Sequence, residues 1–294
     1  MIVNEWHRGL VAKLRAYSPV RSTKQRSPLA DLLFQRPQPL IDPVHHYGVL
    51  RSAKGASKAI MLWYLARLEV LKPASGRSRA HRLHVLKKTE LQRQARNCDP
   101  MKLRWLRIIR DPYNRTVSSY RHALGHGYED EKIQDIVGIS VTERGLSFNE
   151  FLDYLASIDI ATCDNHHMQQ WHPLEAHVAL TKVVNLDKES LLPALDAFAA
   201  GIGLPPMKED MRAIMLADWE HESRRHHKTH KNTDDGVADI RFSREQASGS
   251  WAPYEAFLNS ETRRKIERIY AKDFAAYGDF LTGATTDANR ASRG

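Results

Sequence analysis

An apolar run that ends on an arginine and passes at once into a helix limits what this chain can become more than any other feature. It covers residues 106–120, Leu-Arg-Ile-Ile-Arg-Asp-Pro-Tyr-Asn-Arg-Thr-Val-Ser-Ser-Tyr. Asp111 is a good helix N-cap, and Pro112 falls in the first turn, where a residue without an N–H is tolerated. The junction between strand and helix therefore lies at Arg110 and Asp111, with Arg110 at the strand's carboxyl end. Ser118 follows about two helical turns, or ~10 Å, after Asp111 and returns to the same face. An arginine fork and a hydroxyl so placed suit one phosphate group. Taken alone, the segment is equally compatible with Arg110 and Asp111 as plain capping residues and Ser118 as a solvated helix residue.

The rest of the chain fits an α/β protein. At 294 residues with no evident linker, one large domain is expected. Strand signals at 47–50, 106–110 and 177–185 alternate with helical stretches at 59–71, 112–124, 147–155, 187–200 and 261–277, which predicts a mostly parallel sheet with helices on both faces. Leu83–Leu86 is a candidate further strand. Ser147 and Glu150 stand in capping-box spacing. Residues 1–43, rich in Ser, Pro, Arg and Gln beyond position 17, read as an irregular lead-in, 125–144 as a mobile excursion, and 281–294 as a disordered tail.

Charge sets the class of partner. Lys and Arg number 44 against 35 Asp and Glu, a formal charge of +9, which favours a nucleotide, a polyanionic glycan, nucleic acid or a membrane surface without choosing among them. Two cysteines, Cys98 and Cys163, no apolar run long enough for a membrane span, and an N-terminus without an apolar h-region lead to the expectation of a cytoplasmic chain. Residues 7–17 form a basic amphipathic stretch whose alternatives are peripheral contact with an anionic membrane and, as the favoured reading, ordinary packing on the domain.

The pattern Arg-Asp-Pro-x-x-Arg-x-x-Ser-x-Tyr after an apolar strand resembles the 3′-phosphate-binding motif of sulfotransferases. It is most similar to the carbohydrate, Golgi-type enzymes of sulfotransferase family 2 and their bacterial relatives. The resemblance spans most of residues 44–280. It implies a P-loop-like three-layer α/β sandwich, and it gives Arg110 and Ser118 the 3′-phosphate of 3′-phosphoadenosine 5′-phosphosulfate. Golgi relatives carry an N-terminal membrane anchor, so its absence here suggests a soluble bacterial-type member.

The turn after Leu50, Lys54-Gly55-Ala56-Ser57-Lys58, resembles the family's 5′-phosphosulfate loop, with Lys54 reaching the oxygen that bridges sulfur and phosphorus. Ala53 stands where the family usually has proline, and Lys58 where it has a second hydroxyl. A Walker A assignment fails for want of Gly-Lys-Ser/Thr, and no metal is expected. Cys163–Gln170 resembles the family's Asp-x-His-Trp-x-Pro-Gln stretch. It makes His166 the first candidate for base or acceptor contact and His167 the second, with Gln170 matching the glutamine and Glu150 and Glu175 as weaker alternatives. Lys228, Asn232 and Thr233 resemble a segment covering the adenine end of the cofactor. The histidines at 221, 226, 227 and 230 lie among basic residues that oppose zinc binding, and a plain loop is expected there.

The expected activity is sulfuryl transfer to a hydroxyl of a carbohydrate or glycoconjugate, releasing adenosine 3′,5′-bisphosphate, with no nucleic acid as partner. The alternatives are a basic nucleic-acid-binding protein and a catalytically silent nucleotide binder. The acceptor and the oligomeric state are not readable from the sequence.

Overall fold

The computed structural model describes residues 28–69, 71, 95, 98–223, 236–247 and 251–282, with the side chains of 28 and 221–223 excepted. The stretches at 7–17 and 83–86, the adenine-covering candidates Lys228, Asn232 and Thr233, the side chains of the second histidine group, and the tail beyond 282 lie outside the described residues.

Four strands form one mixed sheet in the order β1 (Leu40–Asp42), β2 (Tyr47–Leu50), β3 (Arg104–Ile109) and β4 (Leu180–Asn185). β2, β3 and β4 are parallel, and β1 pairs antiparallel with β2, Leu40 opposite Val49. The sheet thus begins earlier than residue 44. β1 is only three residues long and sits in a proline-rich stretch, so no periodicity marks it, and pairing with β2 is what makes it a strand.

Side-chain alternation along β3 sorts the core into layers. Leu106 and Ile108 pack with α1 (Ser57–Arg67), whose residues 59–66 are all buried, and with helices later in the chain. Trp105 points to the other face, among Leu33, Ile41, Leu50 and Leu174. A helix apolar on every side belongs inside a layered core, and Ser-Lys-Ala-Ile-Met-Leu-Trp-Tyr-Leu-Ala-Arg is such a sequence. Gly48 in β2 lies against the Trp105 ring, where an added Cβ would collide with it.

α2 (Pro112–His126) begins as the sequence predicts: the Asp111 carboxylate accepts the Tyr113 amide at 2.7 Å, and Pro112 opens the helix. Residues 125–144, expected as a mobile excursion, hold regular structure. They form α3 (Asp130–Val137) and α4 (Val141–Arg144), ended by Gly138 and Gly145 in positive-φ conformations, with Ile133 and Val141 buried. α5 (Phe148–Ala156) carries the expected capping box, Ser147 Oγ accepting the Glu150 amide and Glu150 accepting the Ser147 amide at 2.9 Å. Beyond β4 come α6 (Leu191–Gly201), α7 (Glu209–Ser223) and α8 (Arg244–Ala247). The long closing helix is two, α9 (Ser260–Ile269) and α10 (Ala271–Thr282), broken at Tyr270, whose buried hydroxyl donates to the His167 carbonyl at 2.7 Å. No described helix is long and apolar enough to cross a membrane.

Candidate functional site

The carboxyl ends of parallel strands are where open α/β sheets bind ligands, and the turn after β2 and the end of β3 meet there. Arg110 Nη1 donates to the Lys54 carbonyl at 3.2 Å across 56 positions of sequence. Two further side chains tie the turns together. Gln170 Oε1 accepts the Arg110 amide at 3.0 Å and the Ser52 hydroxyl at 3.3 Å, while its Nε2 donates to the Arg110 carbonyl at 2.8 Å. Arg115, 1% exposed, donates through Nε to the Ala53 carbonyl at 3.1 Å and through Nη2 to the Met168 carbonyl at 2.5 Å. One guanidinium therefore fixes both the Lys54 turn and the histidine loop.

That turn is strained. Lys54 and Ala56 both adopt the left-handed region, φ 62° and 53°, which costs a non-glycine residue ~1–2 kcal/mol. Ala56 N-caps α1 without a side-chain hydrogen bond. Gly55 packs on Ser52, whose Oγ would lie 3.2 Å from an added Cβ. Ser57 is half-buried and Lys58 exposed.

Arg110 is braced from the other side by Asp187, just after β4. Asp187 stands 3.7 Å from Arg110 Nε and accepts the Asp111 amide at 2.7 Å and the Asn114 amide group at 3.0 Å. Beside Arg110 lies Tyr254, which also interacts with Ser118. Its ring centroid is 5.2 Å from the Arg110 guanidinium carbon and 4.3 Å from that of Arg121. Burial pushes the Tyr254 hydroxyl up, but the charges of Arg110 and Arg121 and hydrogen bonding with Arg110 and Ser118 carry it below the ordinary tyrosine value.

The histidine loop borders the same region. Asp164 Oδ1 accepts His166 Nδ1 at 2.7 Å and its backbone amide at 2.9 Å, which leaves His166 Nε2 as the ring's basic nitrogen. His166 stacks on His122 at 4.0 Å, and His122 on His126 at 4.1 Å. Burial and then the Lys54 ammonium are the main influences that draw His122 down to about 2, so the lysine acts on this stack.

His167 is set apart: fully buried, with Nδ1 against Ser119 Oγ at 2.6 Å and the Tyr128 hydroxyl 3.4 Å from Nε2. Burial holds it neutral, near 3. Glu150 is taken up by its capping box and Arg241, and Glu175 by Arg107 and Tyr277.

Glu129, Asp164 and His167 offer ligand atoms within 4.8 Å of one another. Each already has protein partners: Tyr154 and Lys132 on Glu129, His166 on Asp164, Ser119 on His167. Of the site residues read from sequence, Lys54–Lys58, Arg110, Ser118 and His166 share this end of the sheet. The motif's inner arginine, Arg115, was visible in the pattern, but its role was not. Asp187, Arg121 and Tyr254 carried no sequence signal. Comparison with protein-family models, curated proteins and solved structures gave no match.

Proposed function

We propose that this chain is a sulfotransferase that moves a sulfuryl group from 3′-phosphoadenosine 5′-phosphosulfate to a hydroxyl of a carbohydrate or glycoconjugate, on a P-loop-like scaffold. The observation that carries the reading is the contact between Arg110 and the Lys54 turn, because it brings the two phosphate-binding motifs to one rim of the sheet. Interaction of both Arg110 and Ser118 with Tyr254 is in keeping with it. The residues present fit a doubly phosphorylated donor: guanidinium and hydroxyl at one end, a lysine and a small-residue turn at the other.

In this reading the acceptor oxygen attacks sulfur while the bond from sulfur to the bridging phosphate oxygen breaks, leaving adenosine 3′,5′-bisphosphate. Lys54 stabilises charge that grows on that oxygen. His166 Nε2 takes the acceptor proton, and Asp164, bonded to Nδ1, fixes the ring's tautomer and orientation. Arg110 and Ser118 hold the remote 3′-phosphate, which positions the donor without touching the reacting atoms.

The test is incubation with sulfur-labelled donor and a panel of cell-envelope glycans, beside calorimetric titration with adenosine 3′,5′-bisphosphate. Labelled product that disappears in Lys54→Ala is expected. Absence of both transfer and bisphosphate binding would overturn the proposal, and binding without transfer would leave a silent nucleotide binder.

A further inference from the structure

Arg121 has a place in this face that nothing in the motif reading assigns. It lies one turn after Ser118 on α2 and lays its guanidinium carbon 4.3 Å from the Tyr254 ring, 5.2 Å from Trp251 and 5.4 Å from Phe257. Its Nη2 donates to the Ala252 carbonyl, while Nε is buried with no hydrogen-bond partner among the described residues. Arg110 approaches the same Tyr254 ring, and the two like charges act on one another. Asp187 lies beside Arg110, but Arg121 has no carboxylate partner among the described residues. Two guanidinium groups therefore lie against one phenol ring, which Ser118 also meets, with positive charge left over. A phosphate monoester dianion is the complement of that arrangement, and a phenol is a poor substitute.

We propose that Arg121 is a second guanidinium ligand of the phosphate held by Arg110 and Ser118, and that the Tyr254 hydroxyl keeps that phosphate's place until the anion displaces it. This rests on the phosphate reading of the Arg110 face and adds to it a further ligand and an internal competitor. Binding then exchanges one phenol hydroxyl for a phosphate dianion, and Arg121 gains the acceptor its Nε lacks. Two arginines at the subsite make the nucleotide's terminal phosphate the main source of discrimination, so AMP, which lacks it, does not respond to Arg121.

The experiment titrates the full chain and its Arg121→Gln, Arg121→Lys and Tyr254→Phe variants with adenosine 3′,5′-bisphosphate, AMP and inorganic phosphate at fixed ionic strength. Circular dichroism monitors the fold. Arg121→Gln weakens the bisphosphate ~10–100-fold, as expected for one charge-assisted hydrogen-bonding group, and leaves AMP within about twofold. Arg121→Lys, which keeps the charge and stem but not the fork, loses less. Tyr254→Phe keeps the ring between the two arginines and tightens the bisphosphate ~2–10-fold by removing a competing hydrogen bond.

Wild-type affinity in both folded Arg121 variants, or tenfold weaker binding in Tyr254→Phe, overturns this inference while the proposed function stands. Failure of the wild-type chain to bind either the bisphosphate or inorganic phosphate overturns both.

Discussion

Replacing Arg115 by methionine tests whether one buried guanidinium holds the two halves of the candidate site together. The substitution keeps a stem of similar length and removes the bonds to the Ala53 and Met168 carbonyls, together with the cation lying 5.7 Å from the Tyr270 ring centroid. Two buried acceptors are left at ~1–3 kcal/mol each, and the cation–π contact adds ~1 kcal/mol. Against this, the variant no longer buries a charge that has no direct carboxylate partner among the described residues, which returns part of the loss. The net expectation is ~2–4 kcal/mol of destabilisation, or a fall of roughly 5–15 °C in Tm at ~2–4 °C per kcal/mol for a chain of this size. Urea unfolding followed by circular dichroism gives the free energy, and calorimetry with adenosine 3′,5′-bisphosphate gives the effect on the turn. Nucleotide binding weakens along with stability, because the strained Lys54 turn loses its tether. A stability change under ~0.5 kcal/mol, with unchanged binding, would refute the reasoning.

Three other outcomes are expected. Arg110→Ala lowers bisphosphate affinity ~30–150-fold, the worth of a charged, forked contact of ~2–3 kcal/mol, and unchanged affinity in calorimetry counts against the phosphate assignment. Lys54→Ala lowers turnover ~100–1,000-fold while affinity for the intact donor falls far less, since the charge the lysine meets grows only as the bond from sulfur to oxygen breaks; equal losses in kinetics and donor titration make it a positioning residue instead.

His167, held by burial near 3 against its ordinary 6.5, makes stability depend on acid. Above pH 6.5 both states are neutral and nothing changes. Below it the unfolded chain takes a proton that the folded one refuses, so stability falls by up to ~1.4 kcal/mol per pH unit toward pH 3. Urea midpoints between pH 7 and 4 should slope less in His167→Gln, and identical slopes dispose of the idea.

The elements that were legible in the sequence are those with their own local signals. β2 and β3 are short apolar runs, α2 is announced by Asp111 and Pro112, and α5 by the Ser147 and Glu150 pair. What escaped lacks such signals. β1 is three residues long. α3 and α4 lie in a charged stretch whose glycines read as loop markers but act as helix ends. At the break, Tyr270 bonds across the fold to the His167 carbonyl, and no local pattern announces that.

The candidate site divides the same way. Composition, spacing and the strand-to-helix junction placed Arg110, Lys54 and His166 at turns and Ser118 on the helix after the junction, because capping and apolar periodicity act over a few residues. Their meeting was decided by tertiary structure: Gln170 reaching both turns, Arg115 spanning Ala53 and Met168, Asp187 bracing Arg110, and Tyr254 lying between two arginines. These partners are separated by tens of residues and join only when parallel strands bring their carboxyl ends to one rim. A single sequence carries the chemistry of each side chain, whereas the distance between two of them is set by the packing of the sheet and helices that hold them apart or together.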